Sequence, residues 1–92
     1  GKGVIQDYEE AFKWYYLSAE QGFANAQYNL GSMYAKGEGV AKDEILSYLW
    51  WNIAGSSGHS KAEINKAILE KKMSPSQIEQ AREMTIFLQD RG

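Results

Sequence analysis

Residues 37–43 read Gly37-Glu38-Gly39-Val40-Ala41-Lys42-Asp43, and residues 1–4 read Gly1-Lys2-Gly3-Val4. Alone, the longer stretch resembles a phosphate cradle, with two glycines one residue apart and then a lysine. A dinucleotide fingerprint needs a third glycine at position 42, which is Lys42, and a strand before it; a P-loop needs Gly-Lys-Ser/Thr. Neither motif is complete, and the pattern before Gly37 is helical. With its echo at Gly1–Val4, the stretch reads instead as a link between helices. Gly37 is expected to take a left-handed C-cap conformation, Gly39 to keep the link tight, and Val40 to pack between helix pairs.

The echo sets a period. At an offset of 36, Gly1, Gly3, Val4, Asp7, Trp14, Gly22, Ala26, Asn29 and Lys36 meet Gly37, Gly39, Val40, Asp43, Trp50, Gly58, Ala62, Asn65 and Lys72. That is nine identities in 36 positions, against about two or three for ordinary composition. Such a period belongs to solenoids of helix pairs. In the first pair, residues 7–36, Asp7 and Glu10 form an acidic capping box. Tyr8, Ala11, Phe12, Tyr15 and Ala19 follow at helical spacing, and Gly22 stops the helix. A second helix carries Ala26, Leu30, Met33 and Tyr34 on one side, with Gly31 allowing close approach, and ends at Gly37. After the link 37–42, the second pair, residues 43–72, starts at Asp43, carries Tyr48, Trp51, Ile53 and Ala54, and stops at Gly58. A capping box of Ser60 and Glu63 is expected to open its second helix, with a stripe of Ala62, Ile64, Ala67 and Ile68.

The period then breaks. Met73 stands where a glycine is due, and Ser74-Pro75-Ser76-Gln77 is a strong helix start. Ile78, Ala81, Met84 and Leu88 give one apolar stripe, opposite Gln80, Arg82, Glu83 and Asp90. The segment 74–90 therefore reads as a capping helix, apolar inward and polar outward. Residues 1–6 read as the tail of a preceding repeat, so the chain is expected to be the C-terminal piece of a longer array.

Composition narrows the function. The chain has 92 residues, 43% hydrophobic and 13% aromatic, enough for one small core. Its net charge of −2 and lack of basic clusters argue against nucleic-acid capture. No cysteine is present, which excludes disulfides and thiolate metal sites. No apolar run approaches the roughly 20 residues that span a bilayer. Compartment is not readable, since a signal peptide could lie upstream.

Several motifs together resemble a known family: Asp7-Tyr8-x-x-Ala11, Trp14-Tyr15, Ala19-Glu20-Gln21-Gly22, Ala24-x-Ala26-Gln27-x-Asn29-Leu30-Gly31-x-Met33-Tyr34 and the closing Gly37-x-Gly39-Val40. Residues 3–40 look like one full Sel-one-like repeat (SLR), a close relative of the tetratricopeptide repeat. Residues 43–72 resemble a degenerate last repeat, and residues 73–90 the helix that often follows such arrays. The resemblance implies an all-α, right-handed superhelix of two antiparallel helix pairs plus a capping helix. It also implies a protein-binding scaffold of the kind used in bacterial and eukaryotic signalling, secretion and complex assembly. Some cysteine-stapled members were linked to β-lactam chemistry; without cysteines, that activity is not carried over. Two positions depart from the pattern. Lys66 stands where the repeat has Leu30, so the last pair is expected to pack differently, against the terminal helix. Gly55 replaces Ala19.

Candidate chemistry is sparse. His59 is the single histidine; with no cysteine and no acidic cluster nearby it makes a poor metal site, and is expected to be a solvated turn residue. Ser56, Ser57 and His59 are neighbours in sequence without triad geometry. Trp14, Tyr15, Trp50 and Trp51 are expected in the core. In tetratricopeptide-like arrays the first helix of each pair lines the concave groove, which nominates Glu9, Lys13, Tyr16, Tyr48 and Asn52 for partner binding, Asn52 as a holder of peptide backbone. The expectation is a noncatalytic protein- or peptide-binding scaffold without cofactor or metal. Two alternatives stay open: a small-ligand-binding or hydrolytic pocket near Trp50 and His59, and a structural spacer. Tyr8 and Phe12 are expected to be unprotected toward a preceding repeat, so either self-association through that end or fraying of residues 1–6 is a further expectation.

Overall fold

The computed structural model describes residues 7–91, so the readings of residues 1–6 lie outside the described part. Five helices follow one another: α1 (Tyr8–Glu20), α2 (Ala24–Lys36), α3 (Glu44–Ser56), α4 (Ser60–Glu70) and α5 (Pro75–Arg91). No strand occurs among the described residues. The architecture is an all-α stack of antiparallel helix pairs closed by a single helix.

Local chemistry sets the boundaries. Asp7 Oδ1 accepts from the Glu10 amide at 3.1 Å, and Asp43 Oδ1 from the Leu46 amide at 3.0 Å. Each satisfies a backbone donor that the first helical turn leaves free. At α5 the box is reciprocal, with Ser74 Oγ accepting from the Gln77 amide and Gln77 Oε1 from the Ser74 amide. The opening of α4 corrects the sequence reading. The helix begins at Ser60, and its cap is His59, whose Nδ1 accepts from the Ala62 amide at 3.2 Å.

Gly37 ends α2 at φ 76°, its amide bonded to the Met33 carbonyl, and the Asp43 amide returns to the Tyr34 carbonyl. Gly39 is also left-handed, and a Cβ there would strike the backbone of Tyr8. The link thus folds back between α1 and α2, with Val40 half-buried against the core.

The core has two clusters, and α3 contributes to both. Leu49 and Trp50 pack with Ala19, Ala26, Leu30 and Tyr34. Tyr48, Trp51 and Ala54 pack with Ala62, Leu69, Met73 and Ala81. The α2–α3 interface is the most extensive in the molecule. There Ser47 Oγ donates to the Gly31 carbonyl at 2.7 Å, and Trp51 Nε1 to the Tyr28 carbonyl at 3.0 Å.

Several packing expectations are corrected. Trp14 is 63% exposed, and Tyr15 is also exposed, whereas Trp50 is 7% exposed and Trp51 is buried. Phe12, expected to be open, is half-buried, its ring 5.6 Å from that of Tyr34 in an edge-on pair. In α4, Ile64, Ala67 and Ile68 are exposed, and the stripe facing α3 is Ala62, Lys66 and Leu69, continued by Met73 just past the helix end. That stripe keeps the register of Ala26, Leu30 and Met33, with lysine in leucine's place. Lys66 Nζ donates to Asn52 Oδ1 at 3.2 Å and lies 3.6 Å from Glu63. Its partners are therefore on α3 and α4, while the last pair meets the terminal helix through α3, as expected. The outer face of α5 is polar at Gln80, Arg82, Glu83 and Asp90 but also exposes Ile86 and Phe87.

Candidate binding groove

A groove opens between α1 and α5, with α3 as its floor. Tyr16 and Trp50 stand on one side and Met84 and Phe87 on the other, around a cavity of about 520 Å³. It continues into an arm of about 410 Å³ toward Glu20, Gln27 and Gln89, with Tyr16, Trp50 and Leu88 common to both parts. The aromatic wall is held edge to face: Tyr16 to Trp50 with centroids 5.8 Å apart at 71°, and Phe12 to Tyr16 at 5.9 Å. Such pairs fix ring orientation beyond the area they bury. Tyr34 also lines the groove. Burial, then the nearby Tyr16 and Asp43, push its phenol up from its ordinary value.

The sequence-nominated residues divide. Tyr16 lines the groove. Glu9 and Lys13 are exposed on α1 beside it but do not line it. Tyr48 is a correction: it is 1% exposed and its hydroxyl donates to Glu70 on α4. The helical turn that points Leu49 and Trp50 at the groove necessarily turns Tyr48 toward α4. Asn52 is likewise half-buried and engaged by Lys66, so its amide belongs to the α3–α4 joint. Sequence reasoning missed the α5 wall. The signal was an exposed Phe87 in a helix read as polar outward.

His59 is also a correction. With Nδ1 accepting at the α4 cap, Nε2 carries the proton and donates to Asn25 Oδ1 at 2.9 Å. The ring stacks on Tyr28 at 4.6 Å. Both nitrogens are used, and His59 lines neither part of the groove that holds Trp50. No metal-competent cluster of His, Cys, Asp and Glu occurs among the described residues. No helix there is long and apolar enough to cross a membrane.

A second open surface lies at the other end. Ala11, Trp14, Tyr15 and Leu17 are the repeat counterparts of Ser47, Trp50, Trp51 and Ile53. In the α3 set Ser47, Trp50 and Trp51 are buried and Ile53 is half-buried; in the α1 set Trp14, Tyr15 and Leu17 are exposed and only Ala11 is half-buried. Beside it, a cavity of about 490 Å³ opens between α1 and α2, lined by Tyr8, Tyr15 and Tyr28 among others.

This arrangement of helices is shared with known proteins. A family model described as Sel1 repeat matches residues 1–23 and 24–59. The chain belongs to the Sel1 repeat family. The second match joins α2 to α3 across the glycine link, the same two helices that form the largest interface. The Sel1 chain is 38% identical over 69 residues to chitin synthase regulatory factor 3 of Schizosaccharomyces pombe, covering 75% of this chain and 7% of that protein. A crystal structure of a protective antigen from uropathogenic Escherichia coli, displaying an SLR fold, matches 96% of this chain and 19% of its own at a TM-score of 0.89 and 34% identity. A Sel1 repeat protein from Oxalobacter formigenes matches 73% of this chain and 28% of its own at 0.70 and 43%. The chain thus spans less than a third of each of these relatives. Sel1 repeat proteins are typically protein-interaction scaffolds.

Proposed function

We propose that this Sel1 domain is a noncatalytic scaffold that binds a protein or peptide segment in the groove between α1 and α5. The observation that carries this reading is the aromatic and thioether wall left open over the buried Leu49 and Tyr34, with Phe87 67% exposed beside Tyr16 and Trp50. Aromatic anchors in a preformed apolar cleft are the usual seat of binding hot spots. Both ring nitrogens of His59 are occupied, which supports a noncatalytic role over the hydrolytic alternative. The regulatory relative in yeast points the same way. Tyr16→Ala combined with Phe87→Ala is expected to abolish retention of a partner in pull-downs, while Glu9→Ala and Lys13→Ala, on the adjoining stripe, reduce it less. Full retention by the Tyr16/Phe87 variant would overturn the groove assignment.

The outward face of α1 supports a second interface. Trp14 is exposed where its counterpart Trp50 is buried against a neighbouring pair. Contact with another copy of the chain through this face is expected to appear as concentration-dependent sedimentation that Trp14→Lys removes. Sedimentation as a monomer at all concentrations would argue against it.

A further inference from the structure

The groove reading can be carried to the chemistry of the partner. The charged residues that line the two parts of the groove are Glu83 beside Met84 and Phe87, and Glu20 at the far arm. Both are exposed, and neither joins an ion pair among the described residues. Lys13 is the nearby cation on α1, and it stands outside the lining. The far arm adds a third acceptor. Gln27 donates its Nε2 to the Ala19 carbonyl at 3.1 Å, which fixes the amide orientation, and its buried Oε1 is left without a partner. A buried acceptor without a donor is costly. Between these acceptors lie Tyr16 and Trp50, whose ring faces attract guanidinium and ammonium groups.

We infer that the groove takes a cationic amphipathic segment of a protein partner, with a large apolar side chain against Trp50, Met84 and Phe87, and arginine or lysine at Glu83 and at the Glu20–Gln27 arm. This rests on the groove reading above. The apolar anchor supplies most of the affinity. The carboxylates select the sign of the flanking charge, because ion pairs at an exposed rim govern specificity and encounter more than strength.

Three synthetic helical peptides of about twelve residues test it. One carries Phe and Leu on one face and Arg on the other; the second has Glu for Arg; the third has Ala for Phe and Leu. The readout is the indole N–H resonance of Trp50, assigned among the three tryptophans with Trp14→Phe and Trp51→Phe. The arginine peptide is expected to shift Trp50 saturably, and the glutamate and alanine peptides to leave it in place. The Glu20→Gln/Glu83→Gln variant, changed only at exposed positions, is expected to bind the arginine peptide about three- to tenfold more weakly at low salt, with the difference vanishing at high salt. Equal binding of the arginine and glutamate peptides at Trp50 overturns the cationic partner and leaves the groove reading intact. Equal binding of the alanine peptide overturns the apolar anchor. If no peptide moves Trp50 at millimolar concentration, the groove reading falls with the inference.

Discussion

Gly31 lets two helices meet at the distance their hydrogen bonds require. A Cβ there would run into the Trp51 indole, which is pinned by its bond to the Tyr28 carbonyl and cannot swing away without breaking it. Gly31→Ala therefore removes the helix-propensity penalty of glycine but overpacks the α2–α3 joint. A net loss of about 1–3 kcal/mol is expected, read as a lower thermal midpoint. His59 works at the same scale on the next joint, as both the α4 cap and a tie to Asn25. His59→Ala is expected to cost about 0.5–2 kcal/mol, and His59→Asp to recover the cap but not the tie. A thermal-unfolding comparison in which both variants match the parent would disprove this role. The pattern could not have ranked His59 as a cap, since Ser60 and Glu63 offer the commoner signature one residue later. Only the position of the imidazole in space distinguishes them.

At the scale of elements, Tyr48 binds three helices together. Its hydroxyl donates to Glu70 on α4, and Arg82 on α5 stands 3.7 Å from the same carboxylate. Burial, then the bond to Glu70, push the Tyr48 phenol up, with Arg82 opposing. The sign follows: a phenol raised in the folded state stabilises fully below its unfolded value of about 10, and that stabilisation is lost as pH climbs through the raised folded value. Stability is thus expected to fall steeply on the alkaline side above roughly pH 10, and Tyr48→Phe to flatten that limb in denaturant melts recorded across pH. An unchanged alkaline limb would exclude Tyr48 as the source. Helix existence and order were readable from period and caps because each is a local property. Helix rotation was not. The exposed Ile64 and Ile68 of α4 look like a core stripe in sequence, and Lys66 looks like a surface residue. The opposite holds because Asn52 receives the ammonium while the lysine stem covers α3.

Across the whole molecule, identical residues acquire different fates from their neighbours. Trp14 and Trp50 occupy one repeat position, yet among the described residues only Trp50 has a helix pair packed on it. A repeat pattern states what each face fits but not whether anything is there. The groove was hidden from sequence for the same reason, since its α5 wall lies outside the period. Stability should follow the same neighbour logic, because a solenoid is held by contacts between adjacent units. α3 belongs to both core clusters and α2 to the largest interface, whereas α1 is covered on one side and α4 leaves its apolar face open. Native-state hydrogen exchange is therefore expected to be slowest at the central amides of α2 and α3, limited there by global unfolding. The amides of α1 and α4 should exchange through smaller openings of lower free energy. Leu30→Ala, which empties a fully buried site on α2, is expected to lower the global limit by about 2–5 kcal/mol and so to accelerate the α2 and α3 amides. The local openings of α4 are governed by its own joint to α3, and its rates should change only once the global limit drops below them. Uniform protection across all five helices would instead mean that the ends are as tightly coupled as the centre, and that the open faces of α1 and α4 cost the fold nothing.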